Sequence, residues 1–427
     1  MRIGIVPNLE KNAGGIYQYS LTMLDGLLSL KDYSGSSDSF IIFTEDINNK
    51  DLIKFKKRNW EIYSLSKKSP GRLLIGKYIR GTIIEVLIAH IYSFYRQLYK
   101  KHNQLNTIAA VNYQRQWFQE HSIDLIIYPT PNSLSFQLKI PYIFTIHDLQ
   151  HRLHPEFPEV SAKGEWEKRE GTFTNGIKNA LLVLVDSKVG QEDVLRFYKN
   201  TGIIPQNIKI LPFLPAIYID ETKNNGEQNI HRLYHLPENY FFYPAQFWPH
   251  KNHLRIIKAL GLLFKKNNLN IPLVLSGSYS GKLRTDTFKQ MMMEAERQKI
   301  DKNIYYIGYI DDRYMASLYK NAIALIMPTF FGPTNIPILE AWKSNCPVIT
   351  SDIPGVRDQA ADAAVLVAPA SVASIADGIY RIWTQEKRRT DLIKKGRKRL
   401  ALYTKDDYNK RLKTILNEAK SLISKNN

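Results

Sequence analysis

Apolar residues in this chain gather into short unbroken runs, separated by longer amphipathic stretches. In the first half the runs are RIGIVP, SFIIFT, LIIYPT, YIFTIHD and ALLVLVDS. In the second they are YFFYPAQ, IPLVLSGS, NIYYIGYI, AIALIMPT, PVITSDI and AAVLVAP. Such runs, bounded by Pro, Gly, Asp or Ser, read as strands buried on both faces, whereas IYQYSLTMLDGLLSL has helical periodicity. Strands alternating with helices predict parallel sheets covered on both sides. The alternation breaks after Pro212 to Pro215, at the polar segment DETKNNGEQN, and then begins again. The pattern predicts an α/β chain of two doubly wound, Rossmann-like domains facing across a cleft. The first would span 1–215 and the second 216–402, with a final helix over about 403–427 crossing back onto the first. Ligands of such sheets bind beyond the carboxyl ends of the strands, which here means the cleft.

The loops after the strands are therefore the informative ones. In NLEKNAGGIYQYS, Gly14 and Gly15 let the backbone approach an anion at a helix start, or simply make a tight turn. YIFTIHDLQHRLHPE places His147, His151 and His154 close together. His147 ends a strand and Pro155 follows His154, so the one-face helical spacing of a zinc hydrolase is not met. His147 is left as a contact to an acceptor or donor at the cleft, or as a structural histidine. In YPAQFWPHKNH, Lys251 and Asn252 open a helix, where the lysine either neutralises a phosphate or is solvated. GSYSGKL fails as a P-loop: it is one residue short, and Leu283 stands where a Ser or Thr is needed. PTFFGPTNIPILEAW ends an apolar run in a polar loop and opens a helix with Glu340 expected in its first turn.

Composition narrows the setting. The single cysteine, Cys346, excludes an internal disulfide framework and reads as a small buried residue in a cytoplasmic chain. The start MRIGIVPNLE lacks the apolar segment of a signal peptide, and no window is long and apolar enough to span a membrane. The net charge of +19 is uneven: Lys50 to Lys101 holds about 13 basic and 3 acidic residues. Within it, GRLLIGKYIRGTIIEVLIAHIYSFYRQLYKK interleaves aromatics with Lys and Arg, as an interfacial helix does. The expectation is peripheral contact with an anionic membrane, against a solvated helix. No zinc-finger spacing or RNA-recognition motif supports nucleic acid.

Taken in order, GGIYQYS, TIHDLQH, VDSKVGQEDVLRFY, PHKNH, GYIDDRYMASLYKNAIALIMPT and NIPILEAWKSNCPVITSDIPGVRDQAADAAVLVAP resemble glycosyltransferase family 4, the retaining GT-B enzymes. The resemblance covers most of the chain and is weakest from about 48 to 112. It implies a nucleotide-diphosphate sugar bound mostly by the second domain and a saccharide or lipid-linked acceptor bound mostly by the first. The family's motif is Glu, seven residues, then Glu. The second falls on Glu340, implied to hold the ribose hydroxyls, and the first is replaced by Gly332. The family's Gly-Phe-Gly-Leu reads Pro333-Thr334-Asn335-Ile336, and its Gly-Arg reads Ala245-Gln246, so the arginine that shares the diphosphate with Lys251 is absent.

By the same resemblance, the donor would be held by Gly14, Gly15, Gln246, Lys251, Asn252, Thr334, Asn335, Ile336 and Glu340. Tyr309 would join them from the GYIDD loop that reads the base. His147 and Lys251 would be catalytic, and neither a cofactor nor a metal is implied. The expected activity is hexosyl transfer in bacterial O-antigen or capsule assembly, at the inner face of the cell membrane. The alternatives are a non-catalytic subunit, or an epimerase or hydrolase, on the same fold.

Overall fold

The structure, a computed structural model, describes residues 1–34, 38–65, 115–221 and 230–426. The basic, aromatic-rich segment 71–101 and most of the polar stretch 220–229 lie outside the described residues. Seven parallel strands form the first sheet: β1 (Arg2–Ile5), β2 (Ser39–Thr44), β3 (Glu61–Ser64), β4 (Leu125–Tyr128), β5 (Tyr142–Thr145), β6 (Leu182–Val185) and β7 (Ile208–Ile210). Their order is β3-β2-β1-β4-β5-β6-β7. The second sheet has six: β8 (Phe241–Pro244), β9 (Leu273–Ser276), β10 (Ile304–Tyr306), β11 (Ala324–Met327), β12 (Val348–Ser351) and β13 (Val365–Val367). Its order is β10-β9-β8-β11-β12-β13, again all parallel. Both sheets are doubly wound, as the alternation predicts. Two strands are additions to that expectation. β3 and β7 are sheet edges of four and three residues, partly exposed and carrying Glu61 and Lys209, so no apolar run marks them.

The helices that matter below are α1 (Gly15–Ser34), α2 (Glu165–Lys178), α3 (Lys188–Tyr198), α4 (His253–Asn267), α5 (Lys282–Arg297), α6 (Asp312–Asn321), α7 (Ile336–Lys343), α8 (Val372–Thr384), α9 (Glu386–Leu400) and α10 (Lys405–Asn426). Ser187, Asp311 and Ser371 cap α3, α6 and α8 by accepting from Gly190, Arg313 and Ser374 backbone N–H groups. One apolar core fills the second sheet and its helices, and two line the faces of the first. Tyr408, Leu412, Ile415, Leu416 and Ala419 of α10 belong to a first-sheet core. The last helix thus returns across the chain and packs on α1. Gly26 makes room for it, since a Cβ there would lie 2.9 Å from Leu412 Cδ2.

In each sheet the winding direction reverses between two strands, β1 and β4 in the first and β8 and β11 in the second. A crevice opens at such a reversal, beyond the carboxyl ends. The loops following β1, β8 and β11 are the ones holding Gly14, Lys251 and Thr334.

Candidate active site

After β1 the chain turns at Gly14, whose φ of +60° and ψ of −118° exclude a side chain in practice, and enters α1 at Gly15. Across the cleft, α7 starts at Ile336, and a Cβ on Gly15 would lie 3.8 Å from Ile336 Cδ1. Two helix N-termini therefore meet, one from each sheet. Each carries unpaired N–H groups and the positive end of its dipole.

Lys251 closes a short turn, Pro249–Lys251, after β8. Its ammonium has no ion pair among the described residues. Burial pushes its pKa down to about 8, while Asp148 and Glu159 from the first domain pull it back up. The result is a mostly charged amine at neutral pH, with no committed partner. Asn252, beside it, is committed. Its φ is +64°, it is 3% exposed, and Nδ2 donates to the carbonyls of Pro328 and Pro369, both at 2.8 Å. Its side chain joins the ends of the β11 and β13 segments and is not turned to a ligand.

The three histidines part company. His147 lies past β5, edge-on to Tyr19 at 4.8 Å between ring centroids. Burial lowers its pKa, Asp148 and the Pro129 carbonyl act against that, and it is neutral at pH 7. Its Nε2 is buried without a partner among the described residues. His151 goes instead to Glu170 and Tyr198, at 3.1 and 3.2 Å, inside the first domain. His154 pairs with Glu156 and stacks near Phe331.

Glu340 sits one turn deeper than expected. α7 has no acidic residue in its first turn; Glu340 is its fifth residue and is 4% exposed. Each carboxylate oxygen accepts one hydroxyl at 2.7 Å, from Tyr218 and from Tyr319. Burial raises its pKa, those two bonds lower it, and the net shift is upward. A carboxylate oxygen can accept a second hydrogen bond, so one lone-pair site on each remains. Nearby, Tyr309 follows the turn at Gly308 (φ +74°) and is 57% exposed. Tyr17 of α1 and Tyr218 both lie within electrostatic reach of Tyr309 and Asp312.

The loop 328–335 is tied to both halves. Gln150 donates to the Gly332 carbonyl at 2.8 Å, and Thr334 donates to the buried Asp186 carboxylate past β6. The Asn335 N–H and C=O both pair with the Gln359 side chain, at 2.9 and 3.0 Å. Glu159 accepts from the His250 N–H at 3.0 Å and from its ring at 2.6 Å, joining the halves again. Burial takes His250 down to about 4, against the pull of Glu159, so this is a neutral imidazole donating to a carboxylate. Gln150, Glu159, Asp186 and Gln359 are site-forming residues that sequence reasoning did not single out. Three of them lie inside motifs quoted above, Gln150 in TIHDLQH, Asp186 in VDSK and Gln359 in the stretch that begins NIPILEAW, which was the available signal. Gln246 accepts from Trp248 and Arg284 and donates to the Asn12 carbonyl of the first domain.

Residues 228–399 match the family model Glycosyl transferases group 1. Over 239 residues the chain is 24% identical to O-antigen chain mannosyltransferase B of Escherichia coli, covering 56% of this chain and 60% of that protein. It is 31% identical over 135 residues to O-antigen chain mannosyltransferase RfbU of Salmonella typhimurium, covering 31% and 35%. The chain thus spans less than two thirds of either relative. Among solved structures, HepE of Anabaena in complex with UDP and glucose superposes with a TM-score of 0.67 at 14% identity, covering 98% of this chain and 99% of that one. Residues 228–399 are therefore similar to the glycosyl transferases group 1 family, and the whole chain has the two-sheet GT-B fold that HepE shares.

Proposed function

We propose that this chain is a retaining glycosyltransferase that moves a hexosyl unit from a nucleotide-diphosphate sugar to a saccharide or lipid-linked acceptor. Its setting is bacterial surface-polysaccharide assembly at the cytoplasmic face of the membrane. The observation that carries this reading is the meeting of α1 and α7 at the cleft, beside a lysine that has no ion pair among the described residues. The group 1 match and the two O-antigen mannosyltransferase relatives support it, and HepE was solved with UDP and glucose.

In this reading the diphosphate lies against the two helix N-termini and Lys251, and the ribose against Glu340. As the glycosidic bond to the donor breaks, negative charge grows on the leaving diphosphate. Fixed N–H groups and an ammonium stabilise that charge without reorganising, each donor contributing a few kcal/mol. The leaving phosphate takes the acceptor hydroxyl's proton on the same face. The free His147 Nε2, on a neutral ring, positions the incoming sugar by accepting a hydrogen bond. Gly332 in place of the motif's first Glu leaves the donor sugar without that carboxylate, and Thr334, whose hydroxyl donates to Asp186, meets it only as an acceptor. No metal is needed in this scheme.

The test is calorimetric titration with UDP, GDP and ADP in EDTA, on the wild type and on Glu340→Gln. One nucleotide should bind at micromolar affinity, and Glu340→Gln should weaken it at least tenfold, about 1.4 kcal/mol. Thr334 and Asn335 are already engaged by Asp186 and Gln359, which favours a non-catalytic subunit as the second reading. Absence of binding to all three nucleotides would decide for it.

A further inference from the structure

Position 246 carries an amide where the resemblance implies an arginine, yet a guanidinium stands beside it. Arg284, the third residue of α5, donates from Nη1 to Gln246 Oε1 at 2.8 Å. The same oxygen accepts the Trp248 indole N–H at 2.9 Å, and the guanidinium lies 4.8 Å over the Trp248 ring. Among the described residues its one other hydrogen bond is long, 3.5 Å from Nη2 to Ser280 Oγ. Everything that holds this cation is neutral: an amide, an indole and a hydroxyl. No carboxylate pairs with it among the described residues. Several exposed arginines among the described residues are instead neutralised on their own helix or loop, as Arg297 is by Glu294, Arg357 by Asp352 and Arg411 by Asp407.

Arg284 is also placed well. α5 packs against the Pro249–Lys251 turn that carries Lys251. Gln246 Nε2 reaches 2.6 Å to the Asn12 carbonyl, two residues before Gly14. A Cβ built on Gly281 (φ +94°) would have nothing but the Arg284 guanidinium within 4 Å, at 3.6 Å for Nη2, so that side is open. A guanidinium has five N–H donors, and at most two are used here. A planar cation stacked on an aromatic ring and held from behind by neutral acceptors is preorganised for an oxyanion.

We propose that Arg284 is the second cation of the diphosphate site, delivered from α5 in place of an arginine at 246, and that Gln246 is the residue that holds it there. Gln246 contacts the cation with its oxygen and the first domain with its nitrogen, so the guanidinium is aimed when the two halves are together. The assignment rests on the donor reading above.

The experiment compares wild type, Arg284→Ala and the double variant Arg284→Ala/Gln246→Arg. Each is titrated with UDP, GDP and ADP, and with the matching nucleoside by saturation-transfer NMR; circular dichroism and thermal unfolding confirm the fold. Arg284→Ala should weaken the cognate diphosphate at least tenfold and change nucleoside binding less than twofold. Arginine at 246 in the double variant should recover at least half of the lost affinity on a logarithmic scale. Unchanged diphosphate binding in Arg284→Ala, an equal loss for nucleoside and diphosphate, or a selective loss that arginine at 246 does not recover would each overturn this assignment alone. A wild type that binds none of the three diphosphates overturns the donor reading and this assignment together.

Discussion

Lys251 is a residue of the candidate site whose charge depends on pH above neutrality. Burial pushes its pKa down from 10.5 to about 8, with Asp148 and Glu159 opposing the shift. A bound diphosphate adds negative charge beside it and favours the ammonium, so its pKa rises on binding. The Lys251 contribution to diphosphate affinity should therefore be flat below pH 8. Above that it should fall by up to about tenfold per unit until the pKa of the complex is reached. Calorimetry at pH 6.5, 7.5, 8.5 and 9.5 reads this directly. Lys251→Gln should bind more weakly and show no such fall; a wild-type curve as flat as the variant's would remove Lys251 from the anion site. Glu340 presents the opposite residue-scale problem. Removing it to Ala would strand two buried tyrosine hydroxyls, at roughly 1–3 kcal/mol each, and confuse stability with binding. The amide keeps an acceptor for one tyrosine, which is why Glu340→Gln is the informative variant.

At the scale of elements, Asn252 shows how a loop that looks like a ligand site can be a clamp. Its two N–H donors are the partners of the Pro328 and Pro369 carbonyls, and its left-handed backbone suits Asn better than most residues. Asn252→Ala should lower stability by about 2–4 kcal/mol, through two stranded carbonyls and a less tolerant φ, read as a lower urea midpoint. A loss of unfolding free energy below about 0.5 kcal/mol would mean that the segments after β11 and β13 hold without it. The sheets were legible in the sequence because parallel strands are buried on both faces and so spell continuous apolar words, such as LVLV at β6 and ALIM at β11. β7 reads IKI and sits at an edge, where one face and one side are free of that demand. The site was legible only in part, for a related reason. Gly14, Lys251 and Ile336 follow strands at the two reversals, so strand reading led to them. Arg284 is 38 residues from Gln246, and Tyr218 is 122 from Glu340. No local pattern announces pairings at that separation; they exist only once α5 lies beside β8 and the chain after β7 has folded back.

For the whole molecule, the decisive contacts are those that cross between the two halves, and one of them is titratable near neutrality. Asp186, past β6, is 5% exposed and bonds to Thr334 of the second domain and to Ser187. Burial raises its pKa to about 7, against the lowering effect of Thr334 and Ser187. Between the ordinary value of 3.8 and about 7, the folded chain holds a proton that the unfolded chain has lost. The contribution is thus fully present below pH 3.8 and is lost as pH rises through 7, at up to 1.36 kcal/mol per unit. Asp186→Asn keeps the shape, donates to Thr334 and cannot ionise. Other groups titrate too, but they are common to both proteins, so the difference in unfolding free energy isolates this one. Relative to wild type, the variant should gain stability between pH 5 and pH 8, by at most about 2.7 kcal/mol. Chemical denaturation at pH 5, 6, 7 and 8 measures it. A difference that stays constant across that range would mean that Asp186 is already charged at pH 5. Thr334 would then bridge the halves to a carboxylate, and the joint between the two sheets would be indifferent to neutral pH. A rising difference would make closure around the donor loop easier on the acid side of neutrality, the side on which Lys251 is also fully charged.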